Sequence, residues 1–282
     1  MTAGETTARE KGSTSIGSHQ MRWSAYGPEG AETVLLLHGI YAGAHDYEWR
    51  RLIPELAGEF RLRVPDLLGA GASDRPDRSY DAAVVTDVVR ALIADVGDDA
   101  HVVASSLTGA HALRAVAQGQ SVASLTLITP TGLGRPREGH RGRPVVAVAY
   151  EALRRTPVGD AFVWALTSGP SVSWFQRHMT YQDPDVLDQD ELEATRDAGR
   201  AAGAKHLQLA FVFDQLSIDL RPADVAAVRP HVIWADGQGF TEGEEASAWV
   251  RAGADVHHLP SGLPQVEEPA RVAELVRRFS SS

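Results

Sequence analysis

Between residues 33 and 128 the chain alternates short apolar runs with longer stretches of helical periodicity, and this alternation constrains its fold more than any other feature. The apolar runs have the length and composition of buried strands, and they cover residues 33–39, 61–66, 101–105 and 122–128. Helical patterns fill the intervening residues 47–57, 80–96 and 107–117. Strands that alternate with helices across short connections predict an α/β fold, in which a mostly parallel central sheet carries helices on both faces.

The alternation stops at about residue 133 and resumes at residue 231. The sequence between these points contains helix-like stretches broken by Gly-Pro and Asp-Pro, and it holds Trp164 and Trp174. We therefore predict a helical cap over residues 133–220, inserted into an α/β core made of residues 18–132 and 221–282. Because residues 1–17 are polar and lack a strand or helix pattern, we expect them to form a flexible N-terminal tail.

Composition excludes several classes of protein. The chain has no cysteine, which excludes disulfides, thiol nucleophiles, iron–sulfur clusters and cysteine-bound zinc. The formal charge is −10 with no basic face, which argues against a nucleic-acid partner or an anionic-membrane partner. No apolar run approaches the roughly 18 residues that cross a bilayer, and no signal-peptide pattern is present at the start, so a cytoplasmic location is expected. Without a Gly-rich nucleotide motif or metal-ligand spacing, we expect no cofactor and no metal.

Three motifs follow the predicted strands. The segment His38-Gly39-Ile40-Tyr41 ends the first strand, and a Gly-rich loop at residues 65–76 follows the second. Ser106 lies between the third strand and the next helix, where a tight turn lifts a side chain out of the sheet. A helix N-terminus at that point favours developing negative charge. The carboxyl ends of parallel strands meet at one edge of the sheet, so these motifs are expected to form one site.

Together these segments resemble the α/β-hydrolase fold superfamily over about residues 20–280. The resemblance rests on five segments in order, which are an "HG…W" segment (His38, Gly39, Trp49), the PDLxGxGxSDRP loop at residues 65–76, the elbow around Ser106, the VIWA run at residues 232–235 and the tail at residues 259–269. The resemblance implies that Ser106 stands at the nucleophile position. It also implies an oxyanion hole made by the backbone amides of Ile40 and Leu107.

A cap over a sheet encloses a cavity, and we expect that cavity to be apolar. The residues expected to line it are Tyr41, Thr131, Trp164, Trp174 and Phe240. An apolar small molecule is therefore the expected partner, and the sequence does not fix the oligomeric state.

The chain departs from the family pattern at the triad. The usual elbow is G-x-S-x-G, whereas Ser106 is flanked by Ala104 and Thr108. Gln238 occupies the position of the acid, and Leu263 stands where the family has its histidine. A serine hydroxyl is a poor nucleophile without an adjacent base, and leucine cannot transfer a proton. The sequence therefore predicts that ordinary serine-hydrolase activity is weak or absent.

Other residues could in principle replace the missing pair. The nearest candidates by sequence are His257, His258, Asp236 and Asp214, although a strand histidine or a turn-capping aspartate is the more ordinary interpretation of each. His111, one turn beyond the elbow, is better explained as a packed helix residue.

Three functions remain open at this point. The favoured one is an enzyme of non-standard mechanism that acts on an apolar small carbonyl or ester-containing substrate. A lyase or cyclase step of secondary metabolism, such as elimination or cyclisation, would suit the oxyanion hole. The second is a catalytically silent member that binds a small molecule or a partner protein. The third is a serine esterase with a relocated base.

Overall fold

A central sheet of eight strands organises the molecule, whose computed structural model describes residue 8 and residues 10–133, 144–237 and 246–281. The strand order is β1-β2-β4-β3-β5-β6-β7-β8. The strands are β1 Glu10–Ile16, β2 His19–Tyr26, β3 Thr33–Leu37, β4 Arg61–Pro65, β5 His101–Ser105, β6 Ser124–Ile128, β7 His231–Ala235 and β8 Asp255–Leu259. Strands β1, β2 and β4 pair antiparallel, and every other pair is parallel. The predicted fold class, a mostly parallel α/β sheet, is confirmed.

The sheet is buried on both faces because successive side chains of its central strands point to opposite sides. In β3, Leu35 and Leu37 join the larger hydrophobic core, whereas Val34 and Leu36 join the core on the other face. Each such leucine or valine contributes about 1.5–3 kcal/mol when it is fully removed from water. The continuous apolar runs that predicted the strands are thus explained by helices on both sides.

Helices cover both faces. They are α1 Ile53–Leu56, α2 Ala82–Val96, α3 Ser106–Ala117, α4 Pro144–Arg154, α5 Pro157–Leu166, α6 Gly169–Phe175, α7 Gln189–Arg200, α8 Lys205–Val212, α9 Pro222–Val228, α10 Ala246–Arg251, α11 Pro264–Glu267 and α12 Pro269–Ser280. Asp81 caps α2 by accepting a hydrogen bond from Val84 N–H (2.9 Å). Helix α2 packs Val85, Val89 and Leu92 into the larger core, and α12 packs Val276 into the opposite one.

Between β6 and β7 the described residues form helices and contain no strand. Helices α4 to α8 lie in this stretch, together with a π-helix at Gln176–Thr180 and a 3-10 helix at Pro184–Val186. We use the word cap for α4 to α8 and the segments that join them.

The N-terminal residues differ from expectation. Residues 10–16 are not a flexible tail, because β1 pairs with β2 along its whole length, from Glu10 opposite Ala25 to Ile16 opposite His19. The strand was hidden in the sequence because it is a polar edge strand. Thr14 is its buried position, and the Thr14 hydroxyl donates to Asp95 Oδ2 (2.7 Å). An edge strand with one buried side chain has no apolar alternation to reveal it.

Within the described residues, no helix combines the length and the apolar character needed to cross a membrane.

Candidate functional site

Ser106 occupies a strained turn between β5 and α3. The strand ends at Ser105 and the helix begins at Ser106, whose φ of 51° lies in the left-handed region. A left-handed backbone costs an L-residue about 1–2 kcal/mol, so the surrounding packing must hold it in place. The side chain of Ser105 is 2% exposed, whereas Ser106 is partly open to solvent. Of the two adjacent serines, Ser106 is therefore the one presented outward at a helix N-terminus.

The loop after β3 is fixed by two side chains at a single peptide unit. The carbonyl oxygen of His38 accepts a hydrogen bond from Thr108 Oγ1 (2.7 Å). The N–H of the same peptide, which belongs to Gly39, donates to Glu48 Oε2 (3.0 Å). Both ends of the His38–Gly39 peptide are thus held by buried side chains.

The following peptide is held by the His38 ring. Leu67 N–H donates to His38 Nε2 (3.1 Å), so Nε2 accepts and the ring proton sits on Nδ1. His38 Nδ1 then donates to the Gly39 carbonyl oxygen (2.7 Å). In a trans peptide the N–H points opposite to the carbonyl, so the Ile40 N–H is directed away from the His38 ring.

The backbone amides of Ile40 and Leu107 follow β3 and β5, two neighbouring parallel strands, and so lie toward the same edge of the sheet. In the part of the chain that the structure describes, Ile40 N–H donates to no protein acceptor. Leu107 is the second residue of α3, and the first four amides of a helix have no acceptor within it. A methyl group built on Gly39 would lie 3.5 Å from Ser106 Cβ, which shows that the loop and the elbow are in contact.

A set of hydrogen bonds between buried polar side chains also supports this arrangement. Glu48 is 4% exposed, and its Oε1 accepts from Gln265 Nε2 (2.7 Å). The same amide nitrogen lies 3.2 Å from Ser105 Oγ. Gln265, Glu48 and Gly39 therefore connect the elbow to the loop after β3. A network of this kind rigidifies a site because an unpaired buried polar group is costly.

Leu263 lies at the carboxyl end of the sheet as an anchored apolar residue. The amides of Gly262 and Leu263 both donate to Glu267 Oε2 (2.6 Å each), which fixes the turn before α11. The Leu263 side chain packs against the cluster formed by Tyr181, Leu187 and Val266. Leu263 is therefore an apolar packing residue, and its assignment to the histidine position of the family stays a prediction.

The candidate replacement bases lie elsewhere. On the edge strand β8, His257 Nε2 pairs with Asp255 (3.1 Å) and His258 Nδ1 pairs with Asp236 (2.8 Å). No histidine among the described residues forms a hydrogen bond with Ser106.

The two remaining candidates for proton transfer are also engaged away from the elbow. His111 is fully buried, with ring nitrogens facing Thr86 Oγ1 (2.8 Å) and the Leu216 carbonyl (3.0 Å). Asp214 accepts a hydrogen bond from Ser217. Neither residue is joined to Ser106 by a hydrogen bond in the described regions.

A small cavity lies between the core and the cap. Tyr41, Glu48, Leu263 and Val266 line it on the core side, and its volume is about 10 Å³, room for about one water molecule. Burial raises the pKa of Tyr41 well above its ordinary value, so its phenol stays protonated and can donate a hydrogen bond.

Cap residue Glu191 closes the same cavity. It accepts from Arg50 Nη2 (2.6 Å), from Gln176 Nε2 (3.0 Å) and from the Tyr181 hydroxyl. Burial raises the pKa of Glu191, while the Arg50 guanidinium opposes that effect. The pair joins α7 of the cap to the 3-10 helix at Asp46–Trp49 and its C-cap residue Arg50.

The expected lining residues are only partly brought together. Tyr41 lines the small cavity, but Trp164 and Trp174 do not line it. Their side chains are 59% and 52% exposed on cap helices, where Trp164 stacks with Arg200 and Trp174 with His178. Contrary to expectation, these tryptophans therefore pack against neighbouring side chains of the cap itself.

The other expected site residues have simpler outcomes. Thr131 is partly exposed after β6 and is not on the wall of the small cavity. Gln238 and Phe240 lie outside the described residues.

Sequence reasoning missed Glu48, Gln265 and the role of Thr108. One signal was available, because Glu48 is a charged residue directly before Trp49 in an otherwise apolar stripe. A charge at a buried position implies a partner, but only the fold shows that the partner comes from residue 265.

Comparisons with known proteins agree with the fold. The model of the family described as "Alpha/beta hydrolase family" matches residues 34–275. The acetyltransferase component of the acetoin cleaving system of Pseudomonas putida is 34% identical over 137 residues, which are 48% of this chain and 36% of that protein. The cis-3-alkyl-4-alkyloxetan-2-one decarboxylase of Xanthomonas campestris is 43% identical over 56 residues, 20% of this chain and 18% of that protein. These matches span well under half the length of either relative.

Solved structures share the whole fold at low identity. Cfl2 of Burkholderia cenocepacia superposes with a TM-score of 0.71 at 20% identity, covering 98% of this chain and 97% of that one. The meta-cleavage product hydrolase CumD of Pseudomonas fluorescens gives a TM-score of 0.71 at 19% identity, covering 96% and 97%. Because the family model matches most of this chain, the chain belongs to the alpha/beta hydrolase family.

Proposed function

We propose that the protein is an enzyme that stabilises an oxyanion of an apolar small carbonyl or ester-containing substrate, in an elimination or cyclisation step. The amides of Ile40 and Leu107 hold the developing enolate or carboxylate, and Ser106 donates a hydrogen bond. The observation that carries this proposal is the His38–Gly39 peptide, which is clamped at its carbonyl by Thr108 and at its N–H by Glu48. Donors fixed in advance need no reorganisation during the reaction, which is the main source of oxyanion stabilisation.

The same geometry argues against ordinary ester hydrolysis. Acyl transfer to Ser106 requires a base to take its proton, and Leu263 stands at the sequence position where the family has its histidine. His257 and His258 are paired with carboxylates on β8. No activated serine is needed when the substrate supplies its own leaving group and no proton has to be removed. In a strained four-membered lactone the ring C–O bond can break to give a carboxylate, which leaves as CO₂ while the electron pair of its C–C bond forms the new C=C bond.

The small cavity combines apolar and polar side chains, which suits an apolar substrate that carries a polar carbonyl group. Leu263 and Val266 present hydrocarbon to it and Tyr41 offers a neutral phenol, whereas most of the other lining side chains are polar, among them Glu48 and Glu191. Because this cavity holds about one water molecule, substrate entry requires the cap to move away from the core. Closure behind the substrate would exclude water and so protect an intermediate from hydrolysis.

One relative suggests a probe. The Xanthomonas enzyme is by name a decarboxylase of alkyl-substituted oxetan-2-ones, which are strained lactones. A lyase step on such an electrophile suits an oxyanion hole without a general base, and it is consistent with a role in secondary metabolism.

The test distinguishes lyase from hydrolase chemistry by whether oxygen from water enters the product. Alkyl-substituted oxetan-2-ones and aryl esters are incubated with the protein in ¹⁸O-labelled water, and products are followed by NMR and mass spectrometry. We expect products without ¹⁸O in a carboxyl group, and slower turnover in Thr108→Val. Rapid formation of ¹⁸O-labelled acid that Ser106→Ala abolishes would contradict the proposal and establish an esterase with a relocated base.

The small size of the cavity is also consistent with the second candidate, a catalytically silent member that binds a small molecule or a partner protein. In that case none of the oxetan-2-ones or aryl esters is converted, and calorimetry gives the same affinity for each of them in wild type and in Ser106→Ala.

A further inference from the structure

A larger cavity lies apart from Ser106, between the β1–β2 hairpin, the loop at residues 66–76 and cap helix α7. Its volume is about 690 Å³. Its wall includes Trp23 of the hairpin and Ala198 of α7. His45, Asp46 and Asp66 line it near the core, and His45 also borders the small cavity. This space has no role in the chemistry proposed for Ser106.

The three polar residues on this wall bring their side-chain tips together. One ligand atom of each of His45, Asp46 and Asp66 lies within 4.8 Å of the others. His45 Nδ1 is 3.4 Å from Asp46 Oδ1, and it also accepts a long hydrogen bond from Tyr47 N–H (3.4 Å), which a metal ion at this nitrogen would replace. Two ligands bound at about 2.0–2.1 Å to one tetrahedral ion lie about 3.4 Å apart, so this separation fits neighbouring ligands of a metal.

Asp66 is held in place before any ligand arrives. It is 5% exposed, and its two oxygens accept hydrogen bonds from Asp46 N–H (2.8 Å) and Ala72 N–H (2.7 Å). Each carboxylate oxygen offers two acceptor directions, so both retain one for a cation. Since Asp46 supplies both a backbone amide and a carboxylate, the bond from its amide fixes the distance between the two acidic residues.

The carboxylates have no counter-charge. Within the described regions, no lysine or arginine lies within 4.0 Å of Asp46 or Asp66. The nitrogen nearest to Asp66 is His38 Nε2 at 4.0 Å, which already accepts from the Leu67 amide. Three basic side chains, Lys11, Arg22 and Arg75, line the same cavity without pairing with these acids. Two neighbouring carboxylates without a lysine or arginine partner repel each other, and a bound cation relieves that repulsion.

We propose that His45, Asp46 and Asp66 form a binding site for a divalent transition-metal ion of the Zn²⁺ or Mn²⁺ class. One imidazole nitrogen and two carboxylate oxygens suit such ions, whereas Ca²⁺ and Mg²⁺ favour oxygen ligands alone. The cavity supplies the room in which water completes the coordination. The site is independent of the function proposed for Ser106, and sequence spacing did not predict it because Asp66 comes from a separate loop.

The test uses the untagged full-length protein, with ZnCl₂ and MnCl₂ as separate probes in isothermal titration calorimetry. We expect one ion per chain for at least one of the two metals. His45→Ala and Asp46→Asn should each weaken binding at least 10-fold. The matched control is His258→Ala, which removes another imidazole that lies 2.8 Å from an aspartate, Asp236, but has no third ligand among the residues that the structure describes. That variant should bind as wild type does.

A structural readout accompanies the titration. In protein labelled with ¹⁵N at histidine, the ring nitrogens of His45 should shift on addition of Zn²⁺, and those of His258 should not. Far-UV circular dichroism and thermal melting confirm that the variants are folded. The proposal is overturned if neither metal shows saturable binding, if His45→Ala binds as tightly as wild type, or if His258→Ala weakens binding equally.

Discussion

The backbone strain at Ser106 predicts the direction in which a glycine substitution changes the free energy of unfolding. Glycine adopts a φ of 51° without the penalty that serine bears, and the relief of about 1–2 kcal/mol exceeds the added entropy cost of glycine, about 0.5–1 kcal/mol. We expect Ser106→Gly to be as stable as wild type or up to about 1 kcal/mol more stable, as measured by urea unfolding.

The adjacent serine provides the control. Ser105 has a φ of −97° and receives a hydrogen bond from Gln265, so Ser105→Gly should lose about 1–2 kcal/mol. Equal losses in Ser106→Gly and Ser105→Gly would show that Ser106 is not strained.

Thr108 positions the loop that carries the Ile40 amide. Thr108→Val keeps the shape but leaves the buried His38 carbonyl without its donor, which costs about 1–3 kcal/mol of folding free energy. Because the loop can then shift, kcat for any oxyanion-dependent turnover should fall about 10-fold with little change in KM. Thermal melting and steady-state kinetics measure the two effects.

Thr167→Val is the matched control for Thr108. Thr167 is equally buried, but its hydroxyl donates to the Val163 carbonyl, which also accepts from the Thr167 amide. The expected loss is below about 1 kcal/mol, with no change in kcat. If Thr108→Val behaves like Thr167→Val in both measurements, the hydrogen bond from Thr108 to the His38 carbonyl has no functional role.

Single residues were predictable where a motif fixes their backbone position. The order of motifs predicts the positions of Ser106 and Ile40, because each follows a strand that its apolar run identifies, and Ser106 does begin α3. The supporting pair Glu48 and Gln265 could not be predicted, since these residues lie 217 positions apart and meet only after the sheet forms.

Among the elements, α7 is tied to the core by one buried ion pair. Removing Glu191 leaves the Arg50 guanidinium with a poorer partner, Asp188, at 3.7 Å. Breaking a buried pair from one side costs about 3–5 kcal/mol, so Glu191→Ala should lower the free energy of unfolding by about 3 kcal/mol. Chemical denaturation measures this loss. Glu193→Ala, on the exposed side of the same helix, should change it by less than about 0.5 kcal/mol. Similar values for the two variants would contradict the anchoring role of Glu191.

Helix α9 should give the fold part of its acid sensitivity. Hydrogen bonds from Arg221 hold the pKa of Asp224 below its ordinary value of 3.8. A carboxylate with a lowered folded-state pKa stabilises the fold above its unfolded-state pKa, and that contribution disappears as the pH falls through the folded-state value. Unfolding free energies measured from neutral pH to below pH 3.8 should therefore fall less steeply in Asp224→Asn than in wild type. An unchanged slope would show that the pair adds no acid dependence.

Strands could be predicted from the sequence where both of their faces are buried. The strands β3, β5 and β6 read as continuous apolar runs because helices cover both of their faces. The edge strand β1 has one buried side chain, Thr14, and therefore resembles a loop in sequence.

At the scale of the whole molecule, the chain has the fold of the alpha/beta hydrolase family, and we propose that it carries the oxyanion loop and the elbow without a base. The oxyanion loop, the elbow and the buried Glu48–Gln265 link are assembled from three separate segments of the core. In the segment before α11, Leu263 packs against cap residues Tyr181 and Leu187, so the cap contacts the core at this residue. The proposal that the triad histidine is missing assigns its position to Leu263.

The most direct test is the rate at which an activated ester, p-nitrophenyl acetate, is hydrolysed by wild type, Ser106→Ala, Leu263→His, Gln238→Asp and the Leu263→His/Gln238→Asp double variant. Without a base, wild type should turn over slowly, orders of magnitude below a relative with a triad. Each single restoration should do little and the double variant should gain, because base and orienting acid act as a unit. Fast wild-type hydrolysis that Ser106→Ala abolishes would contradict the account.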